Sequence, residues 1–97
     1  MDESDVRESA EAHAQAIVAG DIGGAVRYLN DRAKAQGGDV MKSMPSPLTG
    51  AEVTSIESSD DAFLVQIRYA GESDELVVES RWIEQDGRPT ADDLKVV

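Results

Sequence analysis

The chain is 97 residues long, 40% hydrophobic and 30% charged, and its nine Lys and Arg against twenty Asp and Glu leave a formal charge of -11. One domain spanning 1–97 fits that length and a second core does not, while the composition is that of a globular chain rather than a disordered or membrane-spanning one. The negative charge repels phosphate backbones and anionic lipid alike, so neither nucleic acid nor membrane is an expected partner.

The charge is unevenly spread: residues 1–50 hold five basic and eight acidic side chains, residues 51–97 four and twelve. With no cysteine in the chain, disulfides, thiolate metal sites, iron-sulfur ligation and cysteine nucleophiles all drop out, and no cofactor is expected. The start Met1-Asp2-Glu3-Ser4-Asp5 is acidic where a secretory signal would be basic, and the apolar run near residues 14–19 is too short to span a bilayer. A soluble cytoplasmic protein is the expectation.

Val6, Ala10, His13, Ala14 and Ile17 recur at helical spacing and predict a first helix with one apolar face. Its N-terminal acids suit the positive end of the helix dipole, and Glu3 with Arg7 forms a favourable i,i+4 pair. Gly20 stops it and Asp21 caps the next helix, which turns Ile22, Ala25, Val26, Leu29 and Ala33 inward despite the weakening Gly23 and Gly24. A third short helix restarts at Asn30 and carries Ala33, Val40, Met41 and Met44 toward the core, until Pro45-Ser46-Pro47 ends it.

Thereafter the apolar period changes to two. Residues 51–58, 62–70, 75–84 and 89–97 read as four antiparallel strands joined by short polar turns. A four-residue turn over residues 71–74 places Tyr69 opposite Leu76, Ile67 opposite Val78, Val65 opposite Ser80 and Phe63 opposite Trp82, an apolar face that meets the helices. The other face mixes Leu64, Val77 and Ile83 with Gln66, Arg68, Glu79 and Arg81. An Asp86-Gly87 turn pairs Trp82 with Ala91 and would send Leu94 outward unless the last strand carries a bulge, the solution preferred here over packing on another subunit. The fold class is α+β, with N-terminal helices packed on a curved four-stranded antiparallel sheet.

That order resembles the NTF2-like (SnoaL-like) superfamily. The stretch Ala10-Glu11-Ala12-His13-Ala14-Gln15-Ala16-Ile17-Val18-Ala19-Gly20-Asp21 is similar to the family's first helix and corner, and Arg81-Trp82-Ile83-Glu84-Gln85-Asp86-Gly87-Arg88-Pro89 to its penultimate strand and hairpin. The resemblance implies a cone-shaped (cystatin-like) sheet, a pocket between sheet and helices, and homodimers formed through the sheet. It carries over no catalytic residue, since nothing here aligns with the acid-base groups of the family's isomerases or epoxide hydrolases, and the fold alone does not choose a function.

His13 is the only histidine. On the apolar face of the first helix it is either a general base or ligand-orienting donor, or a neutral core residue with one hydrogen bond, and the second reading is preferred. Tyr28, Met41, Tyr69, Ser80 and Trp82, with Met44 and Phe63, are candidates for an apolar ligand wall with a polar point, or else simply fill the core. Arg68 and Arg81 read as surface ion pairs rather than a carboxylate clamp, and Asp60-Asp61 and Asp92-Asp93 as solvated turns and strand ends, because the spaced oxygens of a calcium loop are missing. Gly20-Asp21-Ile22-Gly23-Gly24 lacks the strand and the Lys-Ser/Thr of a phosphate loop.

The reading these residues support best is a homodimeric domain binding a small apolar molecule, paired through the outer sheet face by Leu64, Val77 and Ile83. The alternatives are a small acid-base enzyme, of isomerase or dehydratase type, using His13 with a nearby carboxylate, and a ligand-free interaction module with an acidic contact surface.

Overall fold

The computed structural model describes residues 1–97 as three helices followed by four strands. The helices are α1 (Glu3–Val18), α2 (Ile22–Val26) and α3 (Asp31–Ser43), and the strands β1 (Leu48–Ser59), β2 (Ala62–Gly71), β3 (Glu75–Gln85) and β4 (Arg88–Val96). The strands form one antiparallel sheet in the order β1-β2-β3-β4. The chain is thus α+β, with its helices packed on one face of a four-stranded sheet.

Local chemistry sets the ends of the helices. Asp2 caps α1 by accepting from the Asp5 backbone N–H at 3.0 Å, while the Asp5 carboxylate accepts from the Asp2 N–H, a reciprocal capping box. At the other end Gly20 takes φ +76, which lets Asp21 N–H reach the Ala16 carbonyl (2.9 Å) and Gly20 N–H the Ile17 carbonyl (3.1 Å). This is the double bond of a Schellman stop, and it turns the chain sharply into α2. Asp21 and Asn30 cap α2 and α3 as their side-chain chemistry predicts. The expected Glu3–Arg7 ion pair does not form; Arg7 takes part in none of the ion pairs.

The second helix is shorter than its apolar spacing predicts. It ends at Val26, and Ile22 is 46% exposed rather than inward. Competition from the sheet explains the early stop: Ala91 N–H donates to the Tyr28 carbonyl (2.7 Å) and Asn30 N–H to the Ala91 carbonyl (3.0 Å), so residues 28–30 bond to β4 instead of continuing the helix. Leu29 and Ala33 are buried as expected, one on this link and the other on α3. The same bonds cover part of the free edge of β4, and the Gln36 side chain covers more by accepting from Leu94 N–H at 2.8 Å.

The register of β2 with β3 is the predicted one: Tyr69 pairs with Leu76, Ile67 with Val78, Val65 with Ser80 and Phe63 with Trp82. The last strand carries the bulge. Trp82 pairs with Ala91 and Arg81 with Asp93, which leaves Asp92 as the extra residue and returns Leu94 to the inner face opposite Ser80. Two further bulges lie at Thr49 and Thr54 of β1, which begins at Leu48, three residues before the alternation of apolar side chains predicts. Each threonine hydroxyl donates to a β2 carbonyl, Thr49 to Ala70 (3.1 Å) and Thr54 to Gln66 (3.2 Å). Bulges on both outer strands bend them and raise the local twist.

One core fills the space between the layers. It takes Val6, Ala10 and Ala14 from α1, Ala33 and Val40 from α3, and Val65, Ile67, Tyr69, Val78, Trp82 and Leu94 from the sheet. The small alanines of α1 allow the helix to lie close to the strands. No helix is long and apolar enough to cross a membrane.

Candidate functional site

His13 lies on the buried face of α1, 5% exposed, with Nδ1 2.9 Å from the Ala25 carbonyl of α2. A carbonyl only accepts, so Nδ1 carries the proton and the bond ties the two helices across their corner. Tyr28 and Trp82 meet the ring edge-on, each with its centroid 6.1 Å away. Burial lowers the imidazole below its ordinary pKa, and the Ala25 bond offsets this only in part, so the ring is neutral at neutral pH. No carboxylate is bonded to it.

Ser80 and Trp82 complete this cluster. Trp82, fully buried, donates Nε1–H to the Ser80 hydroxyl (2.8 Å), which in turn donates to the Val65 carbonyl (3.3 Å). Tyr69 is buried further along the same inner face, where desolvation raises its phenol above the usual value. The structure therefore brings His13, Tyr28, Ser80 and Trp82 together as a packed unit, while Met41 stands apart on α3, 38% exposed. No cavity is lined by His13, Tyr28, Tyr69, Ser80 or Trp82.

The apolar hollow lies to one side of that cluster, between the end of α1, α2, α3 and β4, and measures about 210 Å³. Ile22, Ala25 and Val26 form its α2 wall, Val40 and Met41 its α3 wall, and Leu29 and Leu94 close it toward the sheet. Gly37 and Gly38 leave gaps in the α3 wall, and Lys34 is the only charged residue lining it. Ile22 and Met41, at 46% and 38% exposed, belong to this groove. Sequence spacing missed it because the apolar residues of α2 and α3 look like core, and nothing in that spacing marks Ile22 and Met41 as exposed.

The glycine pair has no packing reason. A Cβ built at Gly37 or Gly38 meets nothing within 4 Å, so neither glycine is there to admit a neighbouring backbone. In a helix interior each costs about 1 kcal/mol relative to alanine. Gly37→Ala and Gly38→Ala should therefore each raise stability by about 1 kcal/mol, which for a domain of this size is about 4–8 °C in melting temperature. Thermal melts followed by circular dichroism check this; an unchanged or lower midpoint would mean that the glycines satisfy a backbone demand.

Two other depressions, of about 310 and 410 Å³, adjoin at Met1 and Glu84. Asp5 and Glu8 line one and Asp60 and Asp61 the other, so neither offers the apolar wall or converging polar groups of a small-molecule site. No three His, Asp or Glu side chains gather in a way that could hold a metal ion.

The outer sheet face is occupied by ion pairs. Arg68 is held between Glu52 and Glu75, Lys95 lies 3.5 Å from Glu79, and Arg81 lies 2.5 Å from Asp92. With both its nitrogens engaged, Arg68 is not a free clamp for a carboxylate ligand. Leu64, Val77 and Ile83 are half-buried among these chains rather than laid open. Asp92 departs from the solvated strand end expected of it: it is 8% exposed, with Oδ2 on Arg81 and Oδ1 buried without a partner. The bulge is the cause, since it draws the extra residue into the sheet. Asp93 accepts instead from Gln36 of α3 at 2.7 Å.

Comparison with protein families, curated proteins and solved structures returns no match to this chain. The functional reading accordingly rests on the site itself.

Proposed function

We propose that the chain is a binding domain for a small apolar molecule, held in the groove between α2 and α3. The observation that carries this is the groove's lining, almost wholly aliphatic and open at lips formed by Ile22 and Met41. A small domain gains by closing such a hollow unless something else fills it. Apolar cavities of about 150 Å³ take up benzene, so about 210 Å³ has room for a ligand of modest size.

The NTF2-like reading is supported by the element order, the antiparallel sheet with bulged outer strands, the corner at Gly20 and Asp21, and the Asp86–Gly87 turn after Trp82. That family resemblance implies a pocket between helices and sheet; in this chain His13, Tyr28 and Trp82 occupy that space, and the hollow opens beside them. An acid-base enzyme centred on His13 gains no support, because the ring faces two aromatic side chains and a backbone carbonyl. Pairing of two copies through the outer sheet face gains little, because its aliphatics are half-covered by the chain's own ion pairs.

The test uses octan-1-ol as an uncharged probe. Each carbon withdrawn from water contributes up to about 0.8 kcal/mol, so eight carbons partly enclosed suffice for a Kd below about 1 mM, equivalent to about -4 kcal/mol. Titration followed by amide chemical shifts should move Val26, Val40, Met41 and Leu94 together. Gly38→Leu, which fills the gap in the α3 wall from a position where its Cβ meets open space, should weaken binding at least about tenfold. Shifts scattered over the surface, or binding indifferent to Gly38→Leu, would remove the groove from consideration.

A further inference from the structure

We propose that the groove selects an anionic amphiphile, with a carboxylate head paired to Lys34 and one short hydrocarbon tail lying between α2 and α3. This rests on the groove being the binding site, and adds what the ligand's head must be. Every residue of the lining except Lys34 is Ala, Val, Ile, Leu, Met or Gly, so Lys34 is the one side chain there that carries a charge, its stem forming part of the apolar wall. Its ammonium is also uncommitted: Lys34 is in none of the ion pairs of a chain that carries twenty acids.

On the next turn of α3 the neighbours of Lys34 are Gly37 and Gly38, which also line the groove and bear no carboxylate; on the preceding turn Asp31 stands at i−3 but forms no ion pair with it. The four-carbon stem of a lysine can follow an apolar wall and carry its charge to the rim. A ligand with a negative head over an aliphatic tail then matches the site at both ends, whereas a cationic head is repelled and a neutral one forgoes the charge-assisted bond. The remaining polar requirement is small, since the walls offer no hydrogen bond for a ligand to satisfy.

Size narrows the class. About 210 Å³ exceeds the volume of about 150 Å³ that takes benzene, and suits a single tail on the order of eight carbons. It is too small for the paired long tails of a membrane lipid. A free short-chain carboxylate is the occupant that fits both the volume and the charge.

Octanoate, octan-1-ol and octylammonium, titrated calorimetrically into the full chain at pH 7.5 and low salt, separate the two levels of the argument. Octanoate should bind about tenfold more tightly than octan-1-ol, and octylammonium more weakly than either. Lys34→Gln should bring octanoate down to the level of octan-1-ol and leave octan-1-ol unchanged. Lys34→Glu should reverse the order of the two ions, a gain that a misfolded variant could not show. If octan-1-ol binds the wild type as tightly as octanoate, or if Lys34→Gln leaves octanoate untouched, the role given to Lys34 is wrong and the groove stands. If no probe binds the wild type, the groove reading fails first and the head-group inference with it.

Discussion

Trp82→Ala should cost about 3–5 kcal/mol of folding free energy, the range for truncating a large buried aromatic. Folded domains are stable by about 5–15 kcal/mol, so this one change removes between about a fifth and the whole of the total. Trp82 is fully buried, packs against His13 and Tyr28, and ends a hydrogen-bond chain through Ser80 to the Val65 carbonyl. Its loss opens a cavity where α1 meets the middle of the sheet. Trp82→Phe keeps most of the apolar contact and forgoes the Nε1–H bond, and should cost about 1–2 kcal/mol. Urea titration gives both values. A loss below about 1 kcal/mol for Trp82→Ala would mean that the core is held elsewhere.

His13 should make folding sensitive to mild acid. In the folded chain burial depresses its pKa, whereas in the unfolded chain it titrates near 6.5. Below about 6.5 the unfolded state therefore binds more protons than the folded one, and stability falls as pH drops from there toward the depressed folded value. Above about 6.5 the contribution is fully present. The ring's neighbours are Tyr28, Trp82 and the Ala25 carbonyl. His13→Asn keeps an N–H that can reach Ala25 but does not titrate, so it should flatten stability between pH 7 and about 5.5, a range in which ordinary carboxylates stay largely ionised. His13→Ala, which removes both the bond and the aromatic packing, should cost about 2–4 kcal/mol at pH 7. Denaturant midpoints measured across that range decide the matter. An equal slope in wild type and His13→Asn would show that His13 protonation is not linked to folding.

Most of the architecture is legible in the residues. The helix corner follows from Gly20 and Asp21, the restart of α3 from Asn30, and its end from the Pro45 and Pro47 pair. Alternation of apolar side chains gives the β2–β3 register residue by residue, and the last bulge follows from requiring Leu94 to face inward. These signals are local or nearly so: a cap, a turn or a period of two is written within a few neighbouring positions.

The candidate site is less legible. Of the residues singled out for a ligand wall, Met41 and Met44 line the groove, whereas His13, Tyr28, Phe63, Tyr69, Ser80 and Trp82 pack into the core or its border. Nothing in the spacing of α2 announces that Ile22 will be exposed, nor that the helix stops where its following residues bond to Ala91 of β4, more than sixty residues away. The burial of Asp92 and the bulges at Thr49 and Thr54 likewise arise from pairing between distant strands.

Composition, capping and periodicity thus determined the elements, their order and which faces turn inward, since each depends on the chemistry of adjacent residues. Tertiary structure alone decided where space is left over. A hollow is the difference between the volume that three helices and an edge strand enclose and the volume their side chains fill, and that difference exists only once Gly37, Val40 and Leu94 have been brought to face Ile22 and Val26.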